Sequence, residues 1–211
     1  MSLTQYIPGP AYRIQTSRLL IRCWEPKDAV MLHAALVLNL DHLLPWMEWA
    51  KQEPLDLQAR IDLLRMWRGN FDHDLDYEYG IFNPIGTQLI GACGLHTRLG
   101  KDVRGIGYWI HKGQLNQGFA TEAASALTRV ANEVDHVIRV EINCEPDNLA
   151  SASIPRKLGF THEATFHHRI MDGYGKLHDS MTWTLFSENY PTSWAAKARI
   201  EAFDAVGRNI L

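Results

Sequence analysis

Polar and apolar positions along this chain change period several times, and each change predicts an element. Arg18–Trp24 is a compact apolar run that predicts a first strand, and Pro26, Lys27 and Asp28 then open a helix running to about Leu38. Leu43–Trp49 is a short aromatic segment. Over Leu57–Phe71 the apolar residues Ile61, Leu64 and Trp67 recur at helical spacing, as on the buried stripe of an amphipathic helix. The middle of the chain reads differently. Tyr77–Phe82, Leu89–Leu95 and Gly105–Ile110 are strand-like, with a turn at Asn83–Gly86, and their short connections predict an antiparallel meander. A glycine-containing loop follows, then a helix over Thr121–Val134, a strand over Val137–Asn143 and a short helix over Ala150–Leu158 that stops before Gly159. Thr161–Phe166 and Ser180–Phe186 are the closing strands. The order predicts an α+β fold, a mixed sheet with helices covering it. Pro191–Ser193 reads as the cap of a last helix from Trp194 to about Val206, stopped by Gly207. The expected organisation is one domain over residues 1–186 and a helical extension over 187–211, docked on that domain or on a second copy in a homodimer.

Composition narrows the functional classes. The chain has 211 residues, 46% hydrophobic and 21% charged, enough to bury a core without staples. A formal net charge of -3 gives no field that would draw it to nucleic acid or anionic lipid. No apolar run reaches the ~20 residues that span a bilayer. Met1–Tyr12 lacks a basic stretch followed by an apolar one, so a cytoplasmic location is expected. Cys23, Cys93 and Cys144 are scattered and odd in number, as buried free thiols of a reducing compartment are. The ten histidines include no HExxH and no zinc-like cluster, so no metal is expected. His167 and His168 are neighbours on a predicted strand, where alternation would turn them to opposite faces.

The chemistry concentrates at Leu115–Ala123, where a strand passes through a loop into a helix. The first turn of a helix has backbone N–H groups without internal partners, and the helix dipole adds positive charge there. Gly118 and Ala120 are small, so a pyrophosphate can approach that backbone. The loop is no P-loop, since Gly-Lys-Ser/Thr is missing, and the G-x-G-x-x-G dinucleotide spacing is missing too.

Gln117-Gly-Phe-Ala-Thr-Glu-Ala123 resembles the acetyl-CoA loop of the GNAT N-acetyltransferases, Arg/Gln-x-x-Gly-x-Gly/Ala. Gly118 and Ala120 fall on its last two positions and Leu115 on the first, where Arg or Gln is usual. Asn148-Leu-Ala-Ser151, followed by Arg156-Lys-Leu-Gly-Phe160, is similar to a second motif of that family, and Gly107-Tyr-Trp109 is similar to the strand before its loop. Thr16–Arg22 and Leu43–Trp49 resemble segments of the Rim-type branch, the ribosomal-protein N-terminal acetyltransferases. The resemblance covers roughly Arg13–Phe186 and implies the GNAT fold, a mostly antiparallel twisted sheet with a splayed strand pair.

It also implies roles. Pantetheine would bond like an added strand to the backbone of Tyr108, Trp109 and Ile110. Leu115, Asn116, Gln117, Gly118, Phe119, Ala120 and Thr121 would hold the pyrophosphate, and Asn148 the pantetheine amides. Ser151 would protonate the departing thiolate, and Glu163 would act as general base. Both also have plain structural readings, Ser151 as a first-turn helix residue and Glu163 as a solvent-facing strand residue. Among acceptors, an α-amine of pKa ~8 is deprotonated near neutrality a few hundredfold more than Lys at ~10.4. A peptide N-terminus is therefore the favoured acceptor. A small amine, drawn by Asp72, Asp74, Asp76 and Glu78, is the alternative, as is a non-catalytic acyl-CoA-binding protein. Trp46, Trp49 and Trp67 are candidates to line an apolar acceptor cleft or simply to pack helices.

Overall fold

The computed structural model describes residues 10–211; the reading of the first residues as free of a targeting signal falls largely outside the described residues. Short 3₁₀ turns aside, the chain runs β1 (Arg13–Gln15), β2 (Leu20–Cys23), α1 (Ala29–Leu43), α2 (Leu57–Asp72), β3 (Tyr77–Phe82), β4 (Leu89–His96), β5 (Val103–Ile110), α3 (Phe119–Glu133), β6 (Arg139–Cys144), α4 (Leu149–Leu158), β7 (Thr161–Met171), β8 (Leu177–Phe186) and β9 (Glu201–Phe203). The strands form one nine-stranded sheet in the order β7-β8-β6-β5-β4-β3-β2-β1-β9. Neighbours pair antiparallel except β5 and β6, which are parallel and joined through α3. This is the expected mixed sheet, and a parallel pair needs such a crossover.

Alternation along the strands feeds two cores, one on each face. Tyr79 and Ile81 pack with Leu127, Val130 and Ile142 in one cluster, while Phe82 packs with Trp24, Leu32, Leu64 and Trp109 in the other. The buried side of α3 is largely alanine (Ala123, Ala124, Ala126, Ala131), which lets the helix lie close to the sheet.

Departures from the sequence reading have identifiable causes. Helix α1 continues to Leu43 because buried Asn39 is satisfied in place: Nδ2 donates to Ala35 O at 2.6 Å, and Oδ1 accepts from Lys112 N at 2.6 Å. The largest correction is the tail. Trp194–Val206 is not a helix, and residues 187–211 are not a helical extension. The segment forms 3₁₀ turns at Tyr190–Thr192 and Ala195–Lys197 and then β9, which pairs with β1 (Arg13↔Phe203, Ile14↔Ala202, Gln15↔Glu201). It turns back at Gly207 (φ 80°), and Ile210 N donates to Ala202 O at 2.8 Å. The unpaired edge of β1 outweighs helix propensity, because every backbone group it offers needs a partner. Trp194, where the helix was expected to begin, is 64% exposed. Among the described residues, no helix is long and apolar enough to cross a membrane.

Candidate active site

Strands β5 and β6 are paired only from Val103↔Arg139 to Gly105↔Glu141. Beyond that point they part, leaving the backbone after Gly105 without a neighbour on that side. Below the fork lies a cavity of about 510 Å³. Ile106 to Trp109 line it from one strand, Ile142 to Cys144 from the other, and Asn148 and Ser151 from the start of α4. The Tyr108 and Ser151 hydroxyls lie 3.2 Å apart, and Tyr108 Oη also donates to Ser151 O at 3.3 Å. Burial pushes the Tyr108 phenol up from its ordinary value, the Ser151 hydrogen bond opposing, so it keeps its proton at neutral pH. Asn148 caps α4, its Oδ1 accepting from Ser151 N at 3.0 Å, a position that suits asparagine well.

Tyr108, Trp109, Asn148 and Ser151 are thus brought together in one cavity. Ile110 is instead buried in the core. Leu115 to Thr121 lie outside the cavity, around the N-terminus of α3. There Gly118 is the N-cap in a left-handed conformation (φ 80°), which a side chain would strain, and Asn116 is also left-handed (φ 60°). Leu115 offers no polar group, but a cation from another strand connection stands nearby. Arg18 donates to Gln117 O at 3.0 Å, pairs with Glu122 at 2.6 Å and lies 4.7 Å over the Phe119 ring. Glu122 also accepts from Thr16 Oγ1 at 2.5 Å, so this loop is tied to the β1–β2 connection. Arg18 was missed as a loop residue because nothing in its local sequence links it to a loop about a hundred residues away.

Glu163 is placed elsewhere. It is the extra residue of a bulge where His162↔Trp183 passes to Ala164↔Thr182. It is exposed, accepts a hydrogen bond from Thr184 Oγ1 and does not line the cavity.

The cavity wall is aromatic and acidic. Trp24, Trp46, Trp49 and Trp67 line it together with Glu53, Glu78 and Glu145. Of the acidic stretch, only Glu78 reaches the cavity; Asp76 stands behind it, bonded to His96 Nδ1 (3.1 Å) and Arg98 Nε (2.9 Å). Burial raises the Glu78 carboxyl. Burial acts the same way on Asp76, yet the His96 and Arg98 contacts prevail and lower it to about 2. A carboxyl group lowered on folding stabilises the fold above its unfolded value near 3.8 and loses that contribution as pH falls towards 2. We therefore expect Asp76→Asn to flatten the fall of the unfolding midpoint between about pH 4 and pH 2. A midpoint that falls as steeply as the wild type over that interval would count against the contribution.

One histidine expectation is corrected. His167 to Arg169 together oppose only Asp179, and His168 is left-handed (φ 50°), so strand alternation fails there. The His167 and His168 rings stack at 3.8 Å rather than facing opposite sides, and with Asp179 their ligand atoms lie within 4.8 Å of one another, near enough to share a metal ion. Cys23, Cys93 and Cys144 are free and buried, as expected.

Comparison with known proteins agrees with this geometry. Residues 18–161 match the model of the acetyltransferase (GNAT) domain. The chain is 27% identical over 180 residues to the [ribosomal protein uS5]-alanine N-acetyltransferase of Escherichia coli K12, covering 80% of this chain and 89% of that protein. Among solved structures it resembles RimL, a ribosomal L7/L12 α-N-protein acetyltransferase in complex with coenzyme A, with TM-score 0.73, 21% identity and coverage of 82% and 97%. It also resembles the microcin C7 self-immunity acetyltransferase MccE in complex with acetyl-CoA and AMP, with TM-score 0.72, 17% identity and coverage of 81% and 93%. A splayed β5–β6 pair over a cavity, a left-handed glycine cap on α3 and a family match over most of the chain agree: this chain belongs to the GNAT acetyltransferase family and is an N-acetyltransferase, similar to Rim-type enzymes.

Proposed function

We propose that this enzyme transfers the acetyl group of acetyl-CoA to a primary amine, in first place the α-amine of a protein or peptide N-terminus. The observation that carries this reading is the fork beyond Gly105 and Glu141, opening on the paired hydroxyls of Tyr108 and Ser151. Free backbone groups from Tyr108 to Ile110 suit the amides of pantetheine, and a backbone N–H there can face the thioester oxygen as charge develops on it. The N-terminus of α3, with its glycine cap, suits the pyrophosphate, and Arg18 supplies the cation that Leu115 does not. Tyr108 and Ser151, still protonated and 3.2 Å apart, serve the departing sulfur as proton donors.

The acceptor follows from charge and basicity. Glu145, the cavity carboxylate without an arginine partner, attracts an ammonium group, and the tryptophans suit the apolar side chain of a first residue. An α-amine loses its proton about two pH units more readily than a lysine. The relative named as a [ribosomal protein uS5]-alanine N-acetyltransferase adds weight to this choice. A small cationic amine is the second reading, favoured by Glu145 standing without an arginine partner in the cavity wall.

Thermal unfolding tests the cosubstrate. Acetyl-CoA at 100 times its dissociation constant is expected to add about 2.7 kcal/mol, a rise of roughly 5–11 °C for a chain of this size. Gly118→Val, which puts a branched side chain at φ 80°, is expected to abolish most of that rise. A wild-type midpoint indifferent to millimolar acetyl-CoA would remove the reading. Mass spectrometry of peptides against polyamines then separates the two acceptors.

A further inference from the structure

The chain turns out of β6 at Glu145, and this residue heads a chain of three ionisable groups. Glu145 is 4% exposed, and its Oε2 lies 3.0 Å from His178 Nδ1. The other ring nitrogen, Nε2, lies 3.0 Å from Asp172 Oδ2. Asp172 is held in turn by the backbone N–H groups of Tyr174 (2.9 Å) and Lys176 (2.8 Å). The turn carrying them is pinned to the end of α1, where Gly173 N donates to Leu44 O at 2.7 Å. The second carboxylate oxygen, Glu145 Oε1, is buried and has no hydrogen-bond partner among the described residues. A buried carboxylate oxygen left unpaired is costly, which suits a position whose partner arrives with the substrate. Glu145 lines the same cavity as Tyr108, Asn148 and Ser151. The other cavity carboxylates are engaged, Glu53 by Arg60 and Glu78 by Arg98.

We propose that Glu145 is the general base of the acetyl transfer, with His178 and Asp172 as the residues that position it. This rests on the acetyltransferase reading above and takes the role expected of Glu163, which stands outside the cavity. The acceptor ammonium gives a proton to Glu145 Oε1. The freed nitrogen lone pair forms the C–N bond to the thioester carbonyl carbon, and the C–S bond breaks. The added amine's surplus proton passes to the sulfur by way of Ser151 and Tyr108, so the products are the amide and the CoA thiol. Glu145 then returns its proton to solvent.

The trio is built for such an exchange. A neutral imidazole has one N–H, so His178 satisfies both carboxylates only when the group holds one more proton, on the ring or on a carboxyl. Burial raises the Glu145 carboxyl; facing it, His178 opposes that rise, Asp172 and Asp147 add to it and Lys176 opposes it. The acid limb of kcat/KM then lies above the ordinary carboxylate range.

Three variants, Glu145→Gln, His178→Gln and Glu163→Gln, test this against two readouts. One is acetylation of a hexapeptide with N-terminal alanine. The other is hydrolysis of acetyl-CoA without amine, followed as thiol release and independent of the acceptor. E145Q is expected to lower turnover by about a hundredfold or more in both readouts, while the thermal shift with acetyl-CoA persists and reports an intact fold. H178Q is expected to lose less and to move the acid limb, which a merely structural residue would not do. E145Q turnover within about threefold of wild type, or a deeper loss in E163Q, overturns the assignment and leaves the acetyltransferase reading standing. A wild type inert to the peptide but active in hydrolysis overturns the peptide acceptor alone, and the hydrolysis rates of the variants still decide Glu145. A wild type that binds acetyl-CoA yet shows neither reaction overturns both.

Discussion

A chain ending at Phe186 is expected to lose its cooperative fold rather than a mere appendage. Residues beyond that point supply the edge strand β9 and bury Tyr190, Ala195 and Ala202, the last two completely. Arg129 on α3 donates to Ala198 O at 2.6 Å, and the Tyr190 hydroxyl donates to Glu133 on the same helix. Removing them uncovers the edge of β1 and the flank of α3 together. The loss is expected to rival the ~5–15 kcal/mol margin of a typical domain. Circular dichroism melting checks it: a sigmoidal transition near the wild-type midpoint would show that the tail is dispensable, whereas a broad or missing one is expected.

Breaking the ion pair between Arg60 and Glu53 has the next largest expected effect. Arg60 on α2 is 1% exposed and the Glu53 side chain 5%, so alanine at position 60 leaves a buried carboxylate without its partner. Such a loss typically destabilises by about 3–5 kcal/mol, here roughly 6–20 °C in the unfolding midpoint. The double variant Arg60→Met with Glu53→Leu removes both charges and is expected to recover much of the loss, since the penalty lies in the orphaned charge. Equal midpoints for the Arg60→Ala protein and the wild type would mean that Glu53 finds solvent instead. Both residues line the cavity, so the same pair fixes part of the acceptor wall.

Much of the fold was legible because local and global preferences agree there. Tyr77–Phe82 is a strand with the expected limits, and Gly159 stops α4 in a left-handed conformation (φ 89°) as a glycine after a helix does. The splay of β5 from β6 followed from the family resemblance, and the register bears it out. The misses occur where a distant partner overrides local preference. Asn39 stays helical because Lys112 bonds to it, and the tail becomes a strand because β1 offers an edge. The site divides along the same line. Tyr108, Asn148 and Ser151 stand in family motifs and meet in the cavity, whereas Glu145, between two such motifs, carries no local signal at all.

By itself the sequence determined the family, the order of most elements and the loop that opens α3, because periodicity, glycine placement and motif spacing are local properties of a chain. Tertiary structure alone decided which carboxylates line the cavity and which of them has no arginine partner. Burial, an unpaired oxygen and a histidine 33 positions downstream are long-range facts, and they exist only once β6, β8 and the turn at Asp172 have been brought together.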